Sequence, residues 1–337
     1  MSEESGTAIL LIGGTGQNGA TLLSRLLAGI PGFVAIGELG FLWDRALQGN
    51  FPCGCGAPFH ECPFWDAVGR SAFGGWDQVD TEEAVRLRTS LMSRRRHRHL
   101  SLPLAFPLMA WPRLSMRYRR DLVRYAQLVQ RIYEGVQEVS GARVIVDSTK
   151  VPGHGFMLWN AGNVDLRVAH LVRDSRGVAF SNVRWVRSQS TIEGRTYRER
   201  HAPARTAARW IWINLAYEAL AFRGAPLATV RYEDLVRDPR DELTRIAAFA
   251  GAPTSSGALG FLREGEAELP VAHLVAGNRL RFASGTTRIL ADEEWRAHLP
   301  PSQQRVVLAM TWPLVLRYRR RAAHTRLVSA ETRRADV

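Results

Sequence analysis

Lysine is almost absent from this chain. Of its 45 basic residues only Lys150 is lysine, and the remaining 44 are arginine. Codon bias in a GC-rich genome accounts for the bulk of that excess, but not for the one ammonium that survives. Cysteine is nearly as scarce: Cys53, Cys55 and Cys62 are the full complement, and they fall within ten residues of one another. With His60 they spell C-x-C-x4-H-x-C. Zinc ligands usually come as two well-separated pairs, so this knot reads as a thiol-lined packing loop, and no metal is expected. Long apolar runs are missing too. Leu100–Trp111 is too short to span a bilayer and carries Pro103 and Pro107. Ala8–Ile12 leads straight into glycines, and Met1–Thr7 is acidic and polar, unlike a signal segment. The expectation is a soluble, cytoplasmic protein with no transmembrane segment; nothing here speaks to oligomeric state.

What is present is ordinary for a globular chain: 337 residues, 46% hydrophobic and 23% charged, which excludes disordered and fibrous classes. The net charge of +13 calls for an anionic partner. Nucleic acid would need base-reading helices or a recognisable motif beside the charge. None is found, and a membrane surface or a polyanionic small molecule stays open.

Apolar runs at Ala8–Ile12, Phe33–Ile36, Val144–Val146, Val168–Val172 and Ala228–Val230 have the length and composition of strands. Each is followed by a polar turn and helical spacing, as at Thr21–Leu27 and Glu242–Ala250. Such alternation predicts an α/β three-layer sandwich with a central parallel sheet, whose ligands lie at the carboxyl ends of the strands. Residues 61–139 read as a helical, basic insertion beside the sheet, a candidate wall for an acceptor pocket. A single domain is expected over 1–325, with Gln303–Leu316 as its last helix and 326–337 as a frayed tail.

The first strand runs into Gly13-Gly14-Thr15-Gly16-Gln17-Asn18-Gly19-Ala20-Thr21. Glycines between a strand and a helix let successive backbone N–H groups point at a phosphate, and the helix N-terminus adds partial positive charge. Three readings compete. A P-loop NTPase needs lysine after the second glycine of G-x4-G, where Ala20 stands. A dinucleotide-binding Rossmann fold is served by Gly14, Gly16 and Gly19, with Glu38 as the ribose acid. An oxidoreductase of the short-chain type would carry Tyr-x-x-x-Lys, but Val146 precedes Lys150 at that spacing. A catalytically silent nucleotide-binding protein and a nucleotide-sugar enzyme also stay open.

The third reading is a resemblance. The Gly13–Thr21 loop with Thr21-Leu22-Leu23 is similar to the 5'-phosphosulfate loop of sulfotransferases that use 3'-phosphoadenosine-5'-phosphosulfate (PAPS). Val172–Ser181 resembles their 3'-phosphate motif, Arg231-Tyr232-Glu233-Asp234-Leu235 their later Y-E-D-L segment, and His273–Arg281 their closing loop. Pro31–Leu39 and Lys150-Val151-Pro152 resemble the Gly-Glu and Lys-x-Pro segments of protein-tyrosine sulfotransferases. Four motifs in order, from about residue 8 to residue 300, are more specific than any one.

The resemblance implies a sulfuryl transfer from PAPS to a hydroxyl of a small-molecule, lipid or glycan acceptor, leaving 3',5'-bisphosphoadenosine. It implies Glu38 as the base and Lys150 as the group facing the leaving phosphate. Gly14, Gly16, Gln17, Asn18, Gly19, Ala20, Thr21 and Leu22 would hold the 5' end, Arg173 and Ser181 the 3'-phosphate. Tyr232, Gly277, Asn278 and Arg279 would complete the nucleotide site. Physical chemistry agrees on one point independently: PAPS has anionic groups at both ends, and a backbone loop plus an Arg/Ser pair supplies two anion sites. Gln17 and Asn18 replace the family's usual basic residue and serine, and Ala20 its first threonine. Gln17 brings no charge, so the electrostatics fall to Lys150 and nearby arginines. Of the histidines, His154 and His273 lie nearest these segments.

Overall fold

The protein is described by a computed structural model over residues 8–92, 116–183, 203–255 and 257–335. All five expected runs are strands: β1 (Ala8–Gly13), β2 (Phe33–Gly37), β3 (Val144–Asp147), β4 (Asp165–Val172) and β5 (Leu227–Arg231). They form one parallel sheet in the order β2-β3-β1-β4-β5. Burial on both faces is why the runs are continuously apolar rather than alternating. Alternate side chains of β1 feed opposite cores: Ile9 and Leu11 one, Leu10 and Ile12 the other.

Helix α1 (Ala20–Leu27) covers the second face. The insertion between β2 and β3 supplies α2 (Pro63–Phe73), α3 (Thr81–Met92) and α4 (Met116–Ser140), which pack on the first. There Trp65, Leu87, Tyr125 and Tyr133 are fully buried. The Arg117–Arg120 run opens α4 on its solvated side. The Leu100–Trp111 and Arg94–Arg98 stretches lie outside the described residues. After β3 comes α5 (Pro152–Ala161), also on the first face. Then follow α6 (Ser175–Val183), α7 (Pro203–Phe222), α8 (Tyr232–Arg237) and α9 (Pro239–Phe249).

Beyond them lies a small antiparallel sheet that periodicity did not announce: β6 (Leu262–Arg263), β7 (Glu266–Leu269) and β8 (Gly285–Arg288). Its strands are too short to show a period, and Leu262, Ala267 and Leu269 are needed to cap the second core. After α10 (Trp295–His298), helix α11 runs from Pro301 to Ala335. It continues well past Gln303–Leu316 and through most of the tail expected to fray, in a stretch rich in the good helix formers Arg, Ala and Leu.

The chain leaves β1 toward α1 on one face and leaves β3 toward α5 on the other. Adjacent strands whose loops part in this way open a crevice at their carboxyl ends. The glycine-rich loop after β1 and Lys150 sit on its two sides.

Candidate active site

The loop from Gly14 to Gly19 is built by its own polar side chain. Asn18, almost fully buried, donates from Nδ2 to the Leu171 carbonyl of β4 at 2.8 Å and to the Gly13 carbonyl at 3.4 Å. Its Oδ1 accepts the Ala20 N–H at 3.1 Å, tying down the start of α1. Asn18 therefore shapes the loop from beneath. Gly14 and Gly19 have φ of +126° and +96°, in the region that favours glycine. Side chains there would also collide: a Cβ at Gly14 would lie 2.3 Å from the Leu171 carbonyl oxygen, and one at Gly19 2.5 Å from the Tyr232 ring. Around Gly16, by contrast, the space is open. The helix start of Ala20, Thr21 and Leu22 presents first-turn N–H groups that lack partners within the helix.

On the β4 side, Arg173 is buried and bound to the loop itself. One guanidinium nitrogen donates to the Gln17 carbonyl at 2.9 Å, and the other bonds the Asp292 carbonyl at 2.8 Å and pairs with its carboxylate at 2.9 Å. The guanidinium also stacks over Tyr232, 4.7 Å from the ring centroid. Tyr232, at the start of α8, completes this bracket: its ring lies against Gly19, and its hydroxyl accepts the Asp292 N–H at 3.2 Å. Burial pushes its phenol pKa above the ordinary value. Asp174 is neutralised by Arg176, which in turn stacks on Trp295 at 4.2 Å. Burial would raise the Asp174 pKa, but Arg176 holds it below the usual carboxylate value. Ser181 lies half-buried on α6, and among the described residues its hydroxyl has no hydrogen bond.

On the β2–β3 side, the structure joins two residues 112 positions apart. The Lys150 ammonium donates to Glu38 Oε1, with the Ser148 carbonyl at 3.3 Å as a second acceptor. Both side chains are about five-sixths buried, at 16% and 15% exposure. Among the described residues no partner meets the second carboxylate oxygen of Glu38. The turn carrying Glu38 is not the regular helix that a charge at its N-terminus would imply; a 3-10 turn, Leu39–Phe41, leads into a π turn, Leu42–Leu47. Two side chains set that shape. Thr149 Oγ1 accepts the Gly40 N–H at 2.9 Å, and Arg88 donates to the Gly40 carbonyl at 2.8 Å.

Beneath Lys150 lies a network that sequence reasoning passed over. Asp147, the last residue of β3, is fully buried and accepts from Tyr133 at 2.6 Å, His154 at 3.0 Å and the Thr149 N–H at 2.7 Å. Burial opposes its ionisation, but the charge of His154 and these hydrogen bonds outweigh that and hold its pKa below the ordinary value. Tyr133 shifts the other way, pushed well up by burial beside that carboxylate. The signal was available in part: an aspartate directly after Val-Ile-Val, seven residues before a histidine. Its third member comes from α4, which no local pattern connects to it.

The His273–Arg281 segment hangs between β7 and β8 and comes down over the loop. Gly277, at φ +146°, approaches so closely that a Cβ there would sit 3.3 Å from Thr21 Oγ1. Asn278 caps the following turn by accepting the Leu280 N–H at 3.0 Å, and Arg279 is exposed. The segment is anchored by Arg25 of α1, which donates to the Pro270 and Ala283 carbonyls. Burial lowers the Arg25 pKa. Sequence reasoning missed this anchor, because a helix-surface arginine gives no local sign of being buried.

The model of the sulfotransferase family matches residues 10–256 of this chain. The chain belongs to the sulfotransferase family. Among solved structures it is similar to the sulfotransferase domain of the Synechococcus PCC 7002 olefin synthase, at 21% identity and a TM-score of 0.47. That match covers 94% of this chain and 97% of that one. It is also similar to the sulfotransferase domain from the curacin biosynthetic pathway (17% identity, TM-score 0.48, 90% and 96% covered). A third is sulfotransferase STF9 from Mycobacterium avium (14%, TM-score 0.42, 76% and 66%). A comparison with curated proteins finds no match. Among the described residues no helix is long and apolar enough to cross a membrane.

Proposed function

We propose that this sulfotransferase uses PAPS as donor and a hydroxyl group of a small-molecule, lipid or glycan as acceptor. The observation that carries the reading is the grouping at the carboxyl edge of the sheet. A glycine-rich loop ends β1, the Glu38–Lys150 pair stands after β2 and β3, and Arg173 stands after β4. The residues present fit such a nucleotide. The loop crest is open at Gly16, the first turn of α1 offers N–H donors, and Arg173 brings a guanidinium to the loop's far side.

In this reading the nucleotide supplies the sulfuryl group and the leaving phosphate. Lys150 stabilises charge on the bridging oxygen, a task that a compact ammonium on a flexible stem performs better than a planar guanidinium. Glu38 takes the acceptor's proton through the carboxylate oxygen that Lys150 leaves free. The Asp147 network fixes the backbone from which Lys150 extends. Asn18 and Tyr232 act by shaping the loop rather than by touching the ligand.

The test is a thermal-shift comparison of 3',5'-bisphosphoadenosine with NAD and ATP, followed by turnover with PAPS and a panel of hydroxyl acceptors. Stabilisation by the bisphosphate, with sulfated product seen by mass spectrometry, is expected. Stabilisation by NAD alone would overturn the reading.

A further inference from the structure

The three cysteines take no part in the chemistry above, yet the fold gathers them around a histidine distant in sequence. Cys62 Sγ lies 3.6 Å from Cys53 Sγ and 3.7 Å from Cys55 Sγ. His273 Nδ1 stands 3.3 Å from Cys62 Sγ and 3.8 Å from Cys53 Sγ. All four donor atoms lie within 4.8 Å of one another. A tetrahedron with Zn–S bonds of about 2.3 Å and a Zn–N bond of about 2.05 Å has S···S edges of about 3.8 Å and S···N edges of about 3.6 Å. Four of the cluster's six edges lie within about 0.3 Å of those lengths, and the other two are no longer than 4.8 Å. They are far longer than a disulfide bond of about 2.05 Å, and all three thiols are free.

We propose that Cys53, Cys55, Cys62 and His273 form a structural zinc site. His60, the histidine nearest the cysteines in sequence, is occupied elsewhere. Its Nε2 lies 3.0 Å from the Leu47 carbonyl, and its backbone N–H donates to Asn50 Oδ1. His273 supplies the well-separated ligand that the local motif lacks. A tight turn, with Cys53 N–H bonded to the Ala57 carbonyl and Gly56 N–H to that of Cys53, forms a knuckle that aims the first two sulfurs. The histidine is packed from outside the cluster. Its ring stacks on Phe64 with centroids 4.8 Å apart, and its carbonyl accepts the Trp65 indole N–H at 2.9 Å.

Binding replaces the thiol protons by the cation, leaving three thiolates and one neutral imidazole around Zn²⁺. The site joins the segment that enters α2 to the one that descends over the phosphate loop. Gly54 N–H bonds the Leu274 carbonyl, and Val275 N–H bonds the Ile36 carbonyl of β2. Four residues after His273 comes Gly277, in contact with Thr21. The metal is therefore a clamp on the roof of the site, without contact to substrate.

The experiment is metal analysis of the untagged full-length chain, expressed with zinc and purified without chelator. About one zinc per chain is expected, lost in Cys62→Ser and His273→Ala and kept in His60→Ala. Cobalt substitution should give the visible bands of a tetrahedral ion and thiolate charge-transfer absorption. That absorption should fall by about a third in Cys55→Ser, which removes one of three sulfurs from a half-exposed position and keeps the test valid if Cys62→Ser does not fold. Reduced wild-type protein that binds neither zinc nor cobalt would overturn the site. So would a disulfide between two of these cysteines in metal-free protein, or retention of metal by His273→Ala with its loss in His60→Ala. Metal content reads this site independently of any sulfuryl-transfer activity.

Discussion

Lys150→Ala separates two consequences of one ion pair. The substitution removes the ammonium that meets Glu38 and leaves its carboxylate, 15% exposed, without that partner. An orphaned, largely buried charged group costs about 1–3 kcal/mol, so the variant should be destabilised by about that much. Glu38→Gln keeps a hydrogen-bond acceptor for Lys150 and should cost less, about 1 kcal/mol. Because Lys150→Ala strands a carboxylate that Glu38→Gln removes, the double variant should be more stable than the two losses predict, by about 1 kcal/mol. Urea denaturation at neutral pH measures all three, and simple additivity would show that the contact contributes nothing. Catalysis responds separately. Loss of a donor at the charge-developing oxygen lowers kcat by about 10²- to 10³-fold, with bisphosphate affinity changed only a few-fold. Lys150→Arg should recover the charge and little of the rate, because the planar fork cannot follow the shifting charge. Full turnover by Lys150→Ala on PAPS would refute the role given to this residue.

Arg173→Ala removes a charged donor and the bracket on the Gln17 carbonyl. Bisphosphate affinity measured by calorimetry should fall by about 10- to 100-fold, the equivalent of about 1.5–3 kcal/mol for a charged hydrogen bond; unchanged affinity would count against the 3'-phosphate site. Gly19→Ala places a Cβ 2.5 Å from the Tyr232 ring at φ +96°. It should destabilise the fold by about 2–4 kcal/mol from backbone and packing strain together, and wild-type stability in urea would contradict the close approach. Burial lowers the pKa of His170, bonded to Asn214 at 2.8 Å, from 6.5 to about 4. The unfolded chain therefore binds a proton first as pH falls. That stability is complete above 6.5 and drains away toward 4, a loss of about 2 kcal/mol between pH 7 and pH 5 from this group alone. His170→Gln should flatten that part of the stability profile, and an unchanged slope would remove His170 as its source.

Much of the site was legible because its parts are tied to strand ends. A parallel sheet buried on both faces must be written in continuous apolar runs, so the five strands could be located, and the residues just past them then fall along one edge. Gly14–Gly19, Glu38, Lys150 and Arg173 lie along that edge, and a resemblance to sulfotransferase segments rather than the edge itself marked the last three as candidates. The roles of some were not legible, because a side chain's partner is invisible along the chain. Asn18 and Tyr232 carry loop-shaping contacts, although their sequence context marked them for ligand binding.

The order of residues by itself determined the layering of the fold, the position of the phosphate loop and the family to which the chain belongs. Local spacing is enough for these, since period, glycine placement and strand-to-helix turns act over a few residues. Tertiary structure alone decided that Glu38 meets Lys150, that Asp147 collects Tyr133 and His154, and that His273 rather than His60 closes on the cysteines. Glu38 and Lys150 are 112 residues apart and Cys62 and His273 211, and even the nearer Tyr133 reaches Asp147 only because α4 packs against the sheet, so these contacts depend on packing rather than on local spacing. The scarcity noticed first, one lysine and three cysteines, thus marked two places whose purpose emerges only where the folded chain brings distant residues together.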